Sequence, residues 1–160
     1  MIEVKNVKKS FNGVEVLKGI STTFETGKTN LIIGQSGSGK TVLLKSLLGI
    51  HTPDSGTISF DGRIYSELTD DERRDLRTEI GMVFQGSALF DSMTVEENVA
   101  FPLKMFTNKT IAEIKERVDF VIDRVHLENA HTKKPSEISG GMQKRVAIAR
   151  AIVNNPKYLF

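Results

Sequence analysis

Gly34-Gln35-Ser36-Gly37-Ser38-Gly39-Lys40-Thr41 follows an apolar run, Leu31-Ile32-Ile33, and opens a helical apolar pattern made by Val42, Leu43, Leu44, Leu47 and Leu48. A glycine-rich loop between a strand and a helix, closed by lysine and threonine, predicts a cradle for the phosphates of a nucleoside triphosphate. Glycine lets the backbone wrap tightly, so that successive N–H groups and the positive end of the helix converge on phosphate oxygens. Lys40 adds a point charge, and the Thr41 hydroxyl supplies a magnesium ligand. With glycine at about 7% of average sequence, the full pattern would arise by accident on the order of once in a hundred chains of this size.

The remaining composition narrows the setting of that cradle. The chain has 160 residues, 39% of them hydrophobic and 26% charged, enough to bury one sizeable core with room for an insertion. Lys and Arg total 22 against 20 for Asp and Glu, a formal net charge of +2 without a dense basic block, so no nucleic-acid face is expected. Cysteine is absent, which removes disulfides, thiolate metal sites and redox centres, and Met1-Ile2-Glu3-Val4-Lys5 has no signal-peptide pattern. A cytoplasmic protein is the simplest expectation. No apolar stretch approaches the roughly 18 residues that span a bilayer, so a membrane role must pass through a partner rather than direct insertion.

Strands are predicted near Ile2 to Val7, Val14 to Leu17, Lys28 to Ile33, Gly56 to Phe60 and Ile80 to Phe84, separated by Asn12-Gly13, Asp54-Ser55-Gly56 and Asp61-Gly62. From Gln85 to about Ile138 the pattern turns helical. Thr69-x-x-Glu72, Thr94-x-x-Glu97 and Thr110-x-x-Glu113 each fit a capping box at a helix start. Ile111, Ile114, Val118, Val121, Ile122 and Val125 form a stripe that packs into a core, with Lys115, Glu116, Asp119, Asp123 and Arg124 facing water.

A second motif is Ile138-Ser139-Gly140-Gly141-Met142-Gln143-Lys144-Arg145, continued by Val146, Ala147, Ile148, Ala149, Ala151 and Ile152 and ended at Asn154-Asn155-Pro156. Ser139 stands where an N-cap belongs. A capped helix start with two glycines exposes free N–H groups and the positive end of the dipole, a second anion site separate from the first loop; a purely structural turn fits the same residues.

Together and in this order, the two motifs resemble the nucleotide-binding domains of ABC (ATP-binding cassette) ATPases, over essentially the whole chain. Gly34 to Thr41 is similar to the family's Walker A loop, Phe11 to the aromatic that stacks on adenine, Gln85 to the Q-loop glutamine, and Ser139 to Met142 to the signature motif. The resemblance implies an α/β fold: a P-loop (RecA-like) core with an N-terminal antiparallel β-subdomain and an inserted α-helical subdomain. It implies one domain, with residues 1–85 and 139–160 as the core and 86–138 as the helical insertion. ATP and magnesium are the implied cofactors. Phe11, Gly34, Ser36, Gly37, Ser38, Gly39, Lys40, Thr41, Ser139, Gly140 and Gly141 would bind nucleotide, Thr41 and Gln85 would hold the metal, and Lys40 and Gln85 would be catalytic.

In this family two domains pair head to tail, so the partners implied are a second ATPase subunit, whose Lys40 and Thr41 would face Ser139, Gly140 and Gly141, and an integral membrane permease. The protein would then sit peripherally on the inner face of the cell membrane. Where Met142 stands the family commonly has glutamine, so a side-chain contact is altered there while backbone contacts are kept. Pro156-Lys157-Tyr158-Leu159-Phe160 resembles the opening of the strand that ends, in the family, in a magnesium-associated aspartate and a glutamate general base. The resemblance therefore implies an incomplete domain that hydrolyses ATP poorly alone. His51, His126 and His131 do not follow the signature as the family's switch histidine does, and are read as surface residues.

The segment Phe84 to Leu103, with Gly141-Met142, looks like the ATPases of mammalian-cell-entry type systems, which move phospholipid across bacterial envelopes. Phe90, Met93, Phe101 and Met105 fall where such domains form a groove for a helix of the membrane subunit, a task suited to adaptable methionine and aromatic side chains. The expected function is thus the ATP-hydrolysing subunit of an ABC transporter that energises phospholipid transport. The alternatives are transport of a polar small molecule, a nucleotide-binding module without turnover, and a non-transport ABC protein on ribosomes or DNA; the short insertion and absent basic block argue against the last.

Overall fold

Asn12 and Gly13 turn the chain at positive φ, 49° and 80°, joining β1 (Ile2–Phe11) to β2 (Val14–Phe24) with Phe11 opposite Val14. Asn-Gly favours this tight hairpin because both turn positions need φ above zero. The computed structural model describes residues 1–160 and divides them into two units, Met1–Arg73 and Arg74–Phe160.

In the first unit β3 (Ser55–Phe60) and β4 (Arg63–Ile64) complete an antiparallel sheet in the order β2-β1-β3-β4. Ile2, Val4, Val7, Leu17, Ile58 and Phe60 are buried. The step from Val4 to Val7 breaks the period of two because the register with β2 shifts there, with Asn6 at φ 48°. The helix α1 (Lys40–Leu47) buries Leu43 and Leu47. The strand expected over Lys28–Ile33 does not form: the segment pairs with no strand, and Leu31 and Ile33 are 82% and 80% exposed. An apolar run becomes a strand only where a ladder partner satisfies its N–H and C=O groups, and neither sheet offers one.

A helix α2 (Asp70–Thr78) crosses from the first unit into the second. The second unit continues with β5 (Ile80–Gly81), α3 (Val95–Phe106), α4 (Ile111–Arg124), α5 (Gly140–Ile152) and β6 (Tyr158–Leu159). β5 and β6 pair in parallel, Ile80 opposite Tyr158, and the ladder extends through a bond from Val83 N to the Phe160 carbonyl at 2.8 Å. A Cβ at Gly81 would lie 2.3 Å from the Ala151 carbonyl, so this close approach admits only glycine.

All three capping boxes are present: Thr69, Thr94 and Thr110 accept from the N–H of Glu72, Glu97 and Glu113, whose carboxylates accept in return from the threonine N–H groups. Val95, Val99 and Leu103 of α3 share one core with Val118, Val121 and Ile122 of α4 and Val146 and Ala149 of α5. Ile111 leaves the expected stripe, 88% exposed at the first position of α4, about two turns before the buried Val118.

At the centre of this unit Asn98 is fully buried; its amide donates to the carbonyls of Phe90, Met93 and Thr94 at 3.1, 3.2 and 2.9 Å and accepts from Phe90 N at 2.8 Å. Asn98→Ala leaves those groups unsatisfied and should cost about 2–3 kcal/mol in urea unfolding; a loss below about 0.5 kcal/mol would show that the segment before α3 is held by other contacts.

Candidate nucleotide-binding site

In the first unit the loop before α1 is exposed from Gly34 to Ser38 and then seals against the sheet. Gly39, at φ 92°, is the N-cap residue of α1 and makes no side-chain cap. A Cβ there would come within 3.1 Å of Leu17 Cδ2 and 3.2 Å of the Val16 carbonyl, so glycine lets the helix start press directly on β2. Leu43 N is the first amide of α1 to find a helical acceptor, the Gly39 carbonyl at 2.8 Å. The amides of Lys40, Thr41 and Val42 precede it and carry the positive end of the helix dipole.

Lys40 folds back over the loop, donating to the carbonyls of Gly34 and Gln35 at 2.9 and 2.8 Å. An ammonium has three donors, so one remains for an anion while the other two hold the loop closed. Ser38 N donates to the Gln35 carbonyl at 3.2 Å, and a Cβ on Gly34 would stand 2.8 Å from Ser38 Oγ, which shows how tightly the loop is wound. This donor set fits a polyphosphate. No group of three or more His, Cys, Asp and Glu side chains is placed to hold a metal ion. The oxygen ligand that the loop itself could offer a metal ion is the exposed Thr41 hydroxyl.

Phe11, also in the first unit, ends β1 with its ring 39% exposed. His51 packs edge-on against it, centroids 5.2 Å apart, and Lys9 Nζ lies 5.5 Å from the ring centre. Lys9 is fixed by Asp54 at 2.7 Å, and that bond, with the Ser10 N–H, holds the Asp54 carboxyl below its usual pKa. His51, expected at the surface, is half-buried: the chain folds it back after α1, His51 N donating to the Lys45 carbonyl at 3.2 Å. His126 and His131 are not near a catalytic cluster; His131 Nε2 lies 3.3 Å from Asp119.

Gln85 and the signature residues lie in the second unit. Gln85 does not end a strand, since β5 stops at Gly81; it sits exposed in a turn closed by a bond from Ser87 N to the Phe84 carbonyl at 3.0 Å. Ser139 is the N-cap of α5, its hydroxyl accepting from Met142 N at 3.3 Å. Gly140 and Gly141 are exposed, have no positive φ, and would meet nothing closer than 3.9 Å with a Cβ. Packing within the chain gives no reason for glycine at either position, and their N–H groups belong to the open first turn of α5. Met142 turns inward against the α3–α4–α5 core.

A groove of about 400 Å3 in this unit is lined by Phe84, Phe90, Phe101, Pro102 and Phe106, with Arg77 and Arg150 as its charges. Phe90 and Phe101 were expected there; Met93 and Met105 lie outside it. Phe90 and Phe101 pack at 4.7 Å between centroids.

Residues 17–160 match the family model described as ABC transporter. The chain belongs to the ABC transporter family. Relatives within it include the spermidine/putrescine import ATP-binding protein PotA of Nitrosospira multiformis, 43% identical over 99% of this chain and 42% of that protein. The probable ribonucleotide transport ATP-binding protein mkl of Mycobacterium leprae is 40% identical over 99% of this chain and 46% of its own length. The methionine import ATP-binding protein MetN of Clostridioides difficile is 40% identical over 99% and 49%. The chain thus spans a little under half the length of these curated relatives. Among solved structures, the ATP-binding cassette MJ0796, a dimer in a post-hydrolysis state bound to ADP and Pi, superposes with a TM-score of 0.88 at 34% identity, over 99% of this chain and 72% of that one. As in those cassettes, the fold is α/β of the P-loop NTPase type with an antiparallel β-subdomain and helices.

Ser139 can be tested as a cap independently of any ligand. Ser139→Ala should lower the stability of the second unit by about 1 kcal/mol and speed exchange of the Met142 amide, read by native-state hydrogen exchange; unchanged protection there would refute the cap.

Proposed function

We propose that this ABC family chain binds magnesium-ATP and belongs to the ATP-hydrolysing subunit of a membrane transporter. The observation that carries the reading is the uncapped start of α1, wound by glycine onto β2 and facing a lysine with a spare donor. Gly34, Ser36, Gly37, Ser38 and Gly39 shape the loop, Lys40 and Thr41 bind the phosphates, and the exposed ring of Phe11 stacks on the purine. Magnesium, when bound, neutralises phosphate charge and polarises the transferred phosphoryl. Thr41 offers its hydroxyl to that metal. Gln85, whose amide both donates and accepts, is proposed as a ligand or water-orienting group. Ser139, Gly140 and Gly141 are proposed to bind the γ-phosphate held by a second ATPase subunit in a head-to-tail dimer.

The proposed organisation keeps residues 86–138 as a helical insertion in one cassette, on which the apolar groove receives a helix of an integral membrane permease. Such a subunit works peripherally on the cytoplasmic face. Hydrolysis is assigned to the whole protein, within which residues 1–160 bind, orient and stabilise charge. For the cargo we propose phospholipid, supported by the likeness of Phe84–Leu103 to lipid-transport ATPases. A polar small molecule is the second reading, favoured by the polyamine, ribonucleotide and methionine named for the relatives. Transfer of labelled phospholipid, against uptake of spermidine or methionine, by the protein reconstituted with its permease separates the two.

Lys40→Ala should weaken magnesium-ATP binding by about tenfold to a hundredfold, the value of a lost charge-assisted bond, in calorimetric titration; unchanged affinity in a folded variant would end the cradle assignment. Phe11→Ala should lose roughly fivefold to a hundredfold for ATP while leaving tripolyphosphate affinity alone. Equal losses for both ligands would remove the stacking role.

A further inference from the structure

Arg150 is the one buried guanidinium that the proposed function does not use. It lies in the last turn of α5, 8% exposed, and its fork is spent on two backbone carbonyls, Ala88 at 2.8 Å and Ser87 at 2.8 Å, rather than on a carboxylate. Burial pulls its pKa below the usual guanidinium value. A charge taken out of water without a counter-charge has to be compensated by well-formed bonds to dipoles, so the two carbonyls must stay where they are for the arginine to remain buried. Both belong to residues in the left-handed region, Ser87 at φ 61° and Ala88 at φ 47°, a conformation that non-glycine side chains resist. Ala88 N also donates to the Gly86 carbonyl at 2.6 Å, so the turn is narrow as well as unfavourable. The guanidinium further lies 5.9 Å from the ring of Phe90, a residue whose backbone Asn98 holds.

We infer that Arg150 is a positioning residue that locks the Gln85 turn to the far end of the helix whose start is Ser139-Gly140-Gly141. The catalytic consequence rests on the role proposed for Gln85. Ser139 and Arg150 are eleven positions apart, about 16 Å along one helix. A rigid helix pinned at one end to the turn carries any displacement at its start to Ser87 and Ala88, and from there to Gln85, two residues before Ser87. The same pin sets one wall of the apolar groove, because Ala88, Phe90 and Arg150 all line it. Arginine suits this pin better than lysine, since its planar fork aims separate nitrogens, each in fixed geometry, at the two carbonyls.

The test uses the full-length protein. Arg150→Met removes the donors and keeps an unbranched apolar stem; Arg150→Lys keeps the charge without the fork. Amides of residues 86–90 should exchange at least about tenfold faster in Arg150→Met, with α3 and α4 amides still protected. Turnover should fall about tenfold or more while magnesium-ATP affinity stays within about twofold, and adding Gln85→Ala should bring little further loss, as expected for two residues acting through one element. Wild-type exchange at 86–90, or losses that multiply in the double variant, would overturn the assignment. If Arg150→Met does not fold, Arg150→Lys is read in the same way, with faster exchange at 86–90 supporting the pin and unchanged exchange refuting it. Gln85→Ala with wild-type turnover would remove the proposed role of Gln85 instead, and exchange at 86–90 then decides the pin by itself.

Discussion

An α-helix opens with backbone N–H groups that the helix itself cannot satisfy, and how each helix of this chain deals with them organises the molecule. Thr69, Thr94, Thr110 and Ser139 turn a hydroxyl onto the first turn of α2, α3, α4 and α5. At α1 the equivalent residue is Gly39, which has no side chain to offer. Its φ of 92° and its tight approach to Val16 and Leu17 explain why a capping residue is disfavoured: a Cβ would sit 3.1 Å from Leu17 Cδ2 on a backbone that side chains resist. The same glycine brings the helix against β2 and leaves its positive end open, so the packing and the proposed anion site follow from one residue.

The second unit shows the complementary arrangement. There the helix start is capped, and the residues just inside it, Gly140 and Gly141, remain bare and exposed. Stability comes from the opposite face, where Val146, Ala149 and Val153 join the α3–α4 core. Arg150 follows Val146 by four residues on that same face, yet it fastens to a strained turn instead of an apolar neighbour. A helix anchored this firmly at its core and its end is a suitable carrier for an exposed start.

Much of this was legible in the sequence because it is local. Capping boxes need only a threonine and a glutamate three residues on, the Asn12-Gly13 hairpin needs only two residues at positive φ, and the phosphate loop is a contiguous motif. What escaped was non-local. Leu31-Ile32-Ile33 has the composition of a buried strand, but composition cannot supply the ladder partner that makes one. Gln85 was placed at a strand end, whereas the ladder stops short of it and a turn intervenes. His51 meets Phe11 across forty residues of chain, a contact no spacing encodes. Arg150 and Asn98 did leave a signal: each interrupts an apolar helical stripe on its buried face, the pattern of a side chain with backbone work to do.

The central claim is that the open end of α1 receives the phosphates of a nucleotide. Backbone amide chemical shifts of the isotope-labelled protein, followed during a magnesium-ATP titration, test it most directly because they report on the N–H groups themselves. The account requires the largest changes at residues 35–42, saturating together with any change at Phe11. Saturable binding that leaves those amides unmoved would contradict it.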